Sequence, residues 1–329
     1  MIFSYSCHDT AKHNLETATL EDLLFNHSDS PMRYGKRPNA AAVAAVVSVV
    51  STFAIPLLHG GAWLYTLAVL IGMLTASSHW ALVHEAIHNR LFANRRRKNL
   101  LAGRLLSIAF GAPFDVLRFG HLFHHRQTRS AIDAGEFFDP SEHSRLRATV
   151  TYYARLLGGL YIAEVIGCVV LWLPAALLKL IVRRMGASVE AASKFLTQDG
   201  TLRRARVDGL AAIAFIGAAL VAGQEDWDMV VAILAGRALT ISMLDNAFHY
   251  GAALSGPGSA WNFRAPAWLA SLLLNGHLHR IHHRHPSACW TDLPRLFKAE
   301  ADRCDYRYVN GVVRQLRGPM VHPLCSAGG

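Results

Sequence analysis

Short histidine motifs are the part of this sequence best suited to chemistry. Eight of the eighteen histidines fall into one HxxxH motif and two HxxHH motifs. The motifs consist of His84 and His88, of His121, His124 and His125, and of His279, His282 and His283. In an α-helix, positions i, i+3 and i+4 lie on one face, so the imidazoles of one motif can converge on a metal ion. The spacing therefore predicts a metal site built from histidine.

The number of histidines bears on which metal they bind. Neutral imidazole suits iron, zinc, copper and nickel, so the residue type alone does not select the ion. Eight imidazoles exceed what one tetrahedral zinc ion can use. Two five- or six-coordinate iron ions could use all eight and keep positions open for dioxygen. A ninth candidate, His249, stands at the predicted cytoplasmic end of an apolar run.

The first motif also permits a different interpretation. Residues 84–88 spell HExxH, the helix of zinc proteases in which the glutamate is the general base. This hypothesis of an intramembrane zinc metalloprotease leaves both HxxHH motifs unexplained. A metal transport or sensing protein is a second alternative, but transporters normally hold polar ligands near the bilayer midplane. With two metal ions, we expect Glu85 to orient an imidazole rather than to act as a base.

The chain that must position these residues has the composition of a membrane protein. Of its 329 residues, 52% are hydrophobic and 17% are charged, and the net charge of +10 is concentrated beside apolar runs, as at residues 95–98. This pattern predicts contact with lipid headgroups and not with nucleic acid. The five cysteines form no CxxC pair, which favours a reducing cytoplasmic face over a disulfide framework.

Four uncharged or nearly uncharged runs are predicted to span the membrane. They cover residues 39–58, 62–83, 209–223 and 229–248. Basic residues precede the first and third runs, and an acidic segment separates the last two, so both pairs should enter and leave from the cytoplasm. Continued as a helix to His88, the second run would reach about 40 Å, more than the hydrocarbon core of about 30 Å. The histidines at its end should therefore project above the membrane.

Two other apolar stretches are predicted not to cross. Residues 100–114 are short and contain Arg104, which is typical of an interfacial helix. Residues 151–182 hardly suffice for two crossings, and a basic segment marks their cytoplasmic exit, so we expect a re-entrant or interfacial element. Four spanning helices are expected, with six as the alternative. Arg237, within the last run, should pair with Asp245 or Glu164 or line a path for substrate or water.

These features predict one all-α integral membrane domain over residues 1–329. It would comprise a cytoplasmic N-terminal segment at 1–38, a membrane region at 39–250 with the first two motifs, and a cytoplasmic part at 251–329 with the third. About four transmembrane helices and several interfacial helices would carry a cytoplasmic helical cap that holds the dimetal site. The four elements that carry histidine would then meet at one membrane face.

The order of the motifs resembles the membrane fatty-acid desaturase and hydroxylase family. HxxxH, HxxHH, a later lone histidine and a final HxxHH followed by Pro286 and Leu293-Pro294 extend over roughly residues 75 to 300. The resemblance implies a non-haem centre of two iron ions and a lipid chain held between the spanning helices. The ligands that it implies are His84, His88, His121, His124, His125, His249, His279, His282 and His283. It also suggests Asn246 or Asn275 as a partner of a metal-bound water.

The expected activity is the O2-dependent desaturation of a fatty-acyl or related lipid chain. A hydroxylase or monooxygenase of the same family, acting on an alkyl, lipid or carotenoid substrate, is the alternative. The sequence contains neither a His-Pro-Gly-Gly haem segment nor a four-cysteine iron site. We therefore expect electrons from a separate donor of the ferredoxin, rubredoxin or cytochrome type.

Overall fold

The computed structural model describes residues 47–52, 61–92, 95–130, 133–174, 177, 180 and 200–323. These ranges are mostly helical, and their short strands pair in two parallel ladders, β1 (Phe137–Phe138) with β4 (Met320–Val321) and β2 (Phe263–Arg264) with β3 (Tyr306–Arg307). The predicted all-α class agrees with this. The predicted segment 1–38 and most of the predicted span 39–58 lie outside the described residues. The described part of that span, residues 47–52, is helical.

Helix α1, Ala62–Ile87, carries the first motif at its C-terminal end. The helix ends because Asn89 adopts a left-handed conformation with a φ of 58°. The backbone N–H groups of Asn89 and Arg90 then donate to the carbonyls of Ala86 and Glu85 at 3.1 and 2.7 Å, which is the Schellman pattern of helix termination. This arrangement fixes His84 and His88 in the last turn and the cap of the helix.

Helices α2, Arg96–Phe110, and α3, Phe114–Gln127, form a bent pair with an angle of 100°. The bend occurs where Gly111 takes a φ of 104° and Pro113 forms the N-cap of the next helix. Glycine reaches this conformation without steric cost, and proline is compatible with a helix start. The bend sets the direction of α3, which carries the second motif.

Helix α4, Arg145–Ala154, continues through a π-helical segment, Arg155–Gly159, into helix α5, Leu160–Val170. Within the π-helical segment the path is broken at Leu157 and at Gly158, which has a φ of 119°. π-Helical turns inside longer helices are frequent at functional sites. The break here faces helix α7, since the nearest atoms to an added Cβ at Gly158 belong to Ala238.

Helices α6, Thr201–Gly223, and α7, Trp227–Ala247, form a hairpin around the 3-10 turn Gln224–Asp226. The turn lies near the start of α1, because the Tyr65 hydroxyl donates to the carbonyl of Asp228 at 3.2 Å. It is therefore at the opposite end of α1 from His84 and His88. The predicted hairpin agrees with this arrangement.

The C-terminal part folds over the ends of these helices. It contains helices α8 (Ala267–Leu272), α9 (His279–Arg284), α10 (Leu293–Ala299) and α11 (Tyr308–Arg314). The third motif forms α9. Beneath the histidines, a buried cluster that includes Val83, Phe110, Phe114, Tyr161 and Ile241 joins α1, α2, α3, α5 and α7. This core connects the helices that carry or support the site.

Three described segments are long and apolar enough to cross a membrane: Trp63–Ile87, Arg145–Val170 and Thr201–Ala247. The bent pair α2 and α3 would make a fourth if it forms one broken span. The third segment contains both α6 and α7. The second contains residues 151–170 of the stretch expected to be re-entrant or interfacial, and at 26 residues it is long enough for one crossing because its helix begins at Arg145, before the apolar run.

The predicted partners of Arg237 are wrong. Its guanidinium donates to the carbonyl of Ala109 at 3.2 Å and to the hydroxyls of Ser48 and Thr52 at 3.0 and 3.4 Å. Asp245 instead faces Arg155, with a closest distance of 3.9 Å. Neutral oxygens from two other helical segments therefore surround the charge of Arg237, and sequence spacing did not predict those long-range contacts.

Candidate metal centre

The nine histidines predicted as ligands form two adjacent groups. Within each group the ligand atoms lie within 4.8 Å of one another. The first group contains His84, His88, His121, His125 and His282, and the second contains His124, His249, His279 and His283. The groups adjoin each other, since the ring centroids of His125 and His283 are 4.4 Å apart. Residues far apart in the sequence are thus brought to one place by α1, α3, α9 and the end of α7.

The first group is joined by contacts between Nε2 atoms. These distances are 3.0 Å for His84 and His282, 2.9 Å for His282 and His125, 3.0 Å for His125 and His121, and 2.8 Å for His121 and His88. The same ring atom of every member therefore points to a common centre. Helix geometry explains part of this, because His84 and His88 are separated by about one turn, as are His121 and His125.

The second group forms a closed ring of four Nε2 atoms. The distances are 3.1 Å for His124 and His249, 3.0 Å for His249 and His279, 3.1 Å for His279 and His283, and 3.4 Å for His283 and His124. Two of the four come from α9 and one from α3, and the fourth, His249, lies two positions after the end of α7. The ring encloses a second centre.

These distances fit metal coordination. A metal ion about 2.1 Å from each nitrogen places two nitrogens about 3.0 Å apart at a right angle and about 3.4 Å apart in a tetrahedron. Seven of the eight Nε2 distances lie between 2.8 and 3.1 Å, near the right-angle value. The arrangement fits ions of five- or six-coordinate geometry better than tetrahedral zinc, while the imidazole donors themselves suit iron, copper and nickel alike.

The other ring nitrogens are oriented by hydrogen bonds. Nδ1–H of His249 donates to the carbonyl of Ser259 at 2.9 Å, and Nδ1–H of His124 donates to the carboxylate of Asp133 at 2.6 Å. The Thr128 hydroxyl lies 3.4 Å from Nδ1 of His283. A hydrogen bond at Nδ1 leaves the lone pair on Nε2, which is the atom that faces the centre.

Burial keeps the imidazoles of the C-terminal motif neutral. Desolvation, followed by the proximity of the other histidines, lowers the pKa of His279, His282 and His283 well below the ordinary value. The same causes lower the pKa of His249 to about 3. A histidine must be neutral to bind a metal, so these side chains are ready to act as ligands at neutral pH.

Of the three residues expected beside the metal ions, Glu85 lies next to the histidines, whereas the side chains of Asn246 and Asn275 contact other residues. Glu85 is buried next to the first group, with Oε1 3.7 Å from Nδ1 of His84, and its Oε2 accepts a long hydrogen bond from the backbone of Trp290 at 3.4 Å. The Asn275 amide donates to the carbonyl of Trp290 at 3.1 Å. Asn246 donates to Tyr152 at 3.1 Å and to Gln315 at 2.9 Å. In the described part of the chain, neither asparagine side chain hydrogen-bonds to an imidazole.

An ionic network supports the third motif from behind. The Arg280 guanidinium donates to Asp302 at 2.6 Å and to Asp305 at 2.9 Å, and all three side chains are less than one tenth exposed. The backbone N–H of Arg280 donates to Oδ1 of Asn262 at 3.0 Å, in the first turn of α9. Arg280 lies between His279 and His282, so the network fixes the helix from which three imidazoles project.

A largely apolar cavity of about 770 Å³ extends from the histidines between the helices. Its lining includes His124 and His249 together with Trp80, Leu160, Ile241 and Trp290. Ligand cavities commonly measure about 300–1,000 Å³. The cavity thus has the volume and character to hold an apolar chain beside the two histidine groups.

Sequence reasoning missed the groups that orient the ligands. Asp133 carries one weak signal, an acidic residue in the turn after a helix of histidines. Ser259 acts through its carbonyl group, which every residue possesses, so its type holds no signal. Arg280 is visible within the third motif, but its partners lie more than twenty positions away.

The sequence model of a family described as Fatty acid desaturase matches residues 60–311. The match includes all three histidine motifs, His249 and the walls of the cavity. A comparison with curated proteins found no match.

Proposed function

This chain belongs to the fatty acid desaturase family, and on that premise we propose that it desaturates a fatty-acyl or related lipid chain in an O2-dependent reaction at two histidine-bound iron ions. One observation carries the proposal. Nine imidazoles point their Nε2 atoms at two adjacent centres, and several of these imidazoles line a largely apolar cavity. The combination supports an oxidation whose substrate is a hydrocarbon chain.

Each part of the site has a role in this reaction. When bound, the two iron ions would activate dioxygen for attack on an unactivated C–H bond. The nine imidazoles hold the ions, and Asp133 and Ser259 keep His124 and His249 in the tautomer with a free Nε2. Trp80, Ile241 and Trp290 line the cavity and would fix the depth of the chain while they exclude water.

The arrangement gives no support to a zinc protease. His84 and His88 lie in a group of five histidines rather than with one carboxylate ligand. Glu85, which would be the general base, accepts a hydrogen bond from the backbone of Trp290. The family match and this geometry both favour an oxidoreductase, with hydroxylation as the alternative outcome of the same centre.

We further propose a multi-pass membrane protein whose active site faces the cytoplasm and receives electrons from a separate donor. Exposed basic residues 95–98 follow the end of α1 that carries His84 and His88. The acidic turn at 224–226 lies near the other end of α1. Positive charge on the side of the histidines supports a cytoplasmic site.

Metal analysis combined with lipid profiling tests the proposal. The full-length protein and its His124→Ala variant are purified for iron and zinc analysis, and the lipids of the expressing cells are compared. His285→Ala is the matched control, because His285 is close to the third motif but pairs with the exposed Glu300. We expect about two iron ions per wild-type and control chain, and a new double bond that is lost with His124→Ala.

Other results would change the assignment in defined ways. A hydroxylated product with the same iron content would move the function to hydroxylation within the family. One zinc ion per chain, with proteolysis abolished by Glu85→Ala, would overturn the proposal.

A further inference from the structure

The lining of the cavity also contains a polar patch. Arg155, Asp245 and Glu164 all line the cavity, on the π-helical segment, α7 and α5 respectively. Arg155 and Asp245 are about half exposed, and their closest charged atoms are 3.9 Å apart. The rest of this region is formed by apolar residues such as Leu160 and Ala163. A plain hydrocarbon would offer Glu164 no hydrogen bond.

Glu164 is the unusual member of the patch. Its Oε2 atom is buried and has no hydrogen-bond partner among the described residues. The guanidinium of Arg237 is directed to Ser48, Thr52 and Ala109. Arg155 is nearest to Asp245. Glu164 also lies within an apolar helical segment that is long enough to span a membrane.

An unsatisfied carboxyl group in such a place requires an explanation. A buried polar group without a hydrogen bond is costly, and an ionisable residue inside a membrane segment usually marks a functional site. A hydroxyl group would suit Glu164, because it can donate to a carboxylate and can also accept from a protonated carboxyl. A carboxylate would suit it poorly, since the patch already contains two acidic side chains and one guanidinium.

We propose that Glu164 binds a hydroxyl group of the substrate, so that the cavity takes a long-chain lipid alcohol or a hydroxylated lipid rather than a free fatty acid. This inference rests on the proposed function in one respect, that the cavity beside the histidines is the substrate site. The Arg155 and Asp245 pair would lie beside the bound hydroxyl group. Glu164 is then a specificity residue.

Ligand binding to the full-length protein in an uncharged detergent tests this inference. Hexadecanol, hexadecyl methyl ether and palmitate serve as probes with equal chain length, and binding is measured by titration calorimetry. We expect hexadecanol to bind about 10-fold more tightly than the ether, which cannot donate a hydrogen bond, and palmitate to bind no better than the ether. Equal binding of the alcohol and the ether by the wild-type protein would overturn the inference.

Variants identify the residue responsible. Glu164→Leu should reduce hexadecanol affinity to that for the ether, whereas Glu164→Gln, which keeps an acceptor and a donor, should retain most of the preference. Glu225→Leu is the control, because it removes an exposed carboxyl group at the α6–α7 turn. An unchanged preference in Glu164→Leu would overturn the role of Glu164.

Iron analysis separates this inference from the proposed function. The affinity difference does not depend on turnover. If the wild-type protein contains two iron ions but does not distinguish the alcohol from the ether, the inference about Glu164 fails alone. If it prefers the alcohol but binds no iron, the diiron proposal fails while the hydroxyl site remains.

Discussion

At the scale of single residues, the two nitrogens of each imidazole have different tasks. Nε2 faces the centre, and where a hydrogen bond is present Nδ1 is directed to an oxygen, as in His124 with Asp133 and His249 with Ser259. A ligand oriented in this way loses less conformational freedom when it binds a metal. The metal affinity of this site should therefore depend on residues that do not touch the ions.

Asp133→Asn should weaken iron binding about 10- to 100-fold, because the amide no longer provides a charged acceptor for Nδ1–H of His124. The substitution preserves the volume of the side chain. Iron affinity is measured by competition with a chelator, and circular dichroism checks that the helices remain.

Asp139→Asn is the matched control for Asp133→Asn. Asp139 lies in the same connection but accepts hydrogen bonds from Ser141, at an exposed turn. We expect its iron affinity to equal that of the wild type. Equal losses in both variants would contradict a specific role of Asp133 and would indicate a general effect on the connection.

Arg280→Met should lower the free energy of unfolding by up to about 3 kcal/mol, because it removes the central cation from the largely buried Asp302 and Asp305 and leaves them only Arg284 and the exposed Arg303. The loosened α9 should also hold iron less tightly through His279, His282 and His283. Denaturant titration measures the stability, and iron content after dialysis measures the second effect. A variant with wild-type stability would show that the network does not support the third motif.

The sequence predicted which histidines lie together better than it predicted their surroundings. Eight of the nine were predicted because helical spacing fixes which of them share a face, and His249 was predicted from its place at the end of an apolar run; the structure brings all nine together. The partners of Arg237 were predicted wrongly, because contacts with Ser48, Thr52 and Ala109 depend on how distant helices pack. The roles predicted for Asn246 and Asn275 remain predictions, since their contacts are with other groups.

At the scale of elements, the position of the second motif depends on how closely α2 approaches the start of α3. Gly103 in α2 lies against the ring of Phe114, so that an added Cβ would be 2.3 Å from a ring carbon. The Phe114 ring is buried in the core beneath the histidines. Glycine at position 103 therefore permits the sharp bend that directs His121, His124 and His125 to the centre.

Gly103→Ala should destabilise the protein by about 2 kcal/mol, because either α2 or Phe114 must move to admit the methyl group. The displacement of α3 should also reduce the iron content. Thermal unfolding and metal analysis of the purified variant measure the two effects.

Gly217→Ala provides the comparison for Gly103→Ala. Gly217 is in helix α6, and no atom lies within 4 Å of a Cβ built there. Alanine has the higher helix propensity, so this variant should be unchanged or stabilised by up to about 1 kcal/mol. Destabilisation of both variants to the same extent would contradict the packing argument.

Helix boundaries limited what the sequence could predict about the elements. The bend at Gly111-Ala112-Pro113 and the α6–α7 hairpin follow from residues whose local preferences are strong. The bounds of the segment from α4 to α5 were harder to predict from the sequence, because its helix begins among polar residues at Arg145 and continues past the break at Gly158. Hydropathy alone does not show that start, and the expected re-entrant or interfacial placement rested on residues 151–182 being too few for two crossings.

At the scale of the whole molecule, charge distinguishes the two ends of the helices. Residues 95–98 are exposed and basic, and they follow the end of α1 that carries the histidines. Glu225 and Asp226 form the acidic turn near the start of α1. Since basic residues are retained on the cytoplasmic side, the metal centre and the acidic turn should lie on opposite sides of the membrane.

Cysteine labelling in intact cells tests this orientation. A cysteine at position 225 should react with a membrane-impermeant maleimide added outside, whereas a cysteine at position 97 should react only after the cells are opened. Both positions are exposed, so access depends on the membrane and not on folding. Labelling is scored relative to the unsubstituted parent, whose own cysteines set the background. Reaction of Arg97→Cys in intact cells, with protection of Glu225→Cys, would reverse the topology and place the histidines outside the cytoplasm, where reduced electron donors of the ferredoxin type could not reach them.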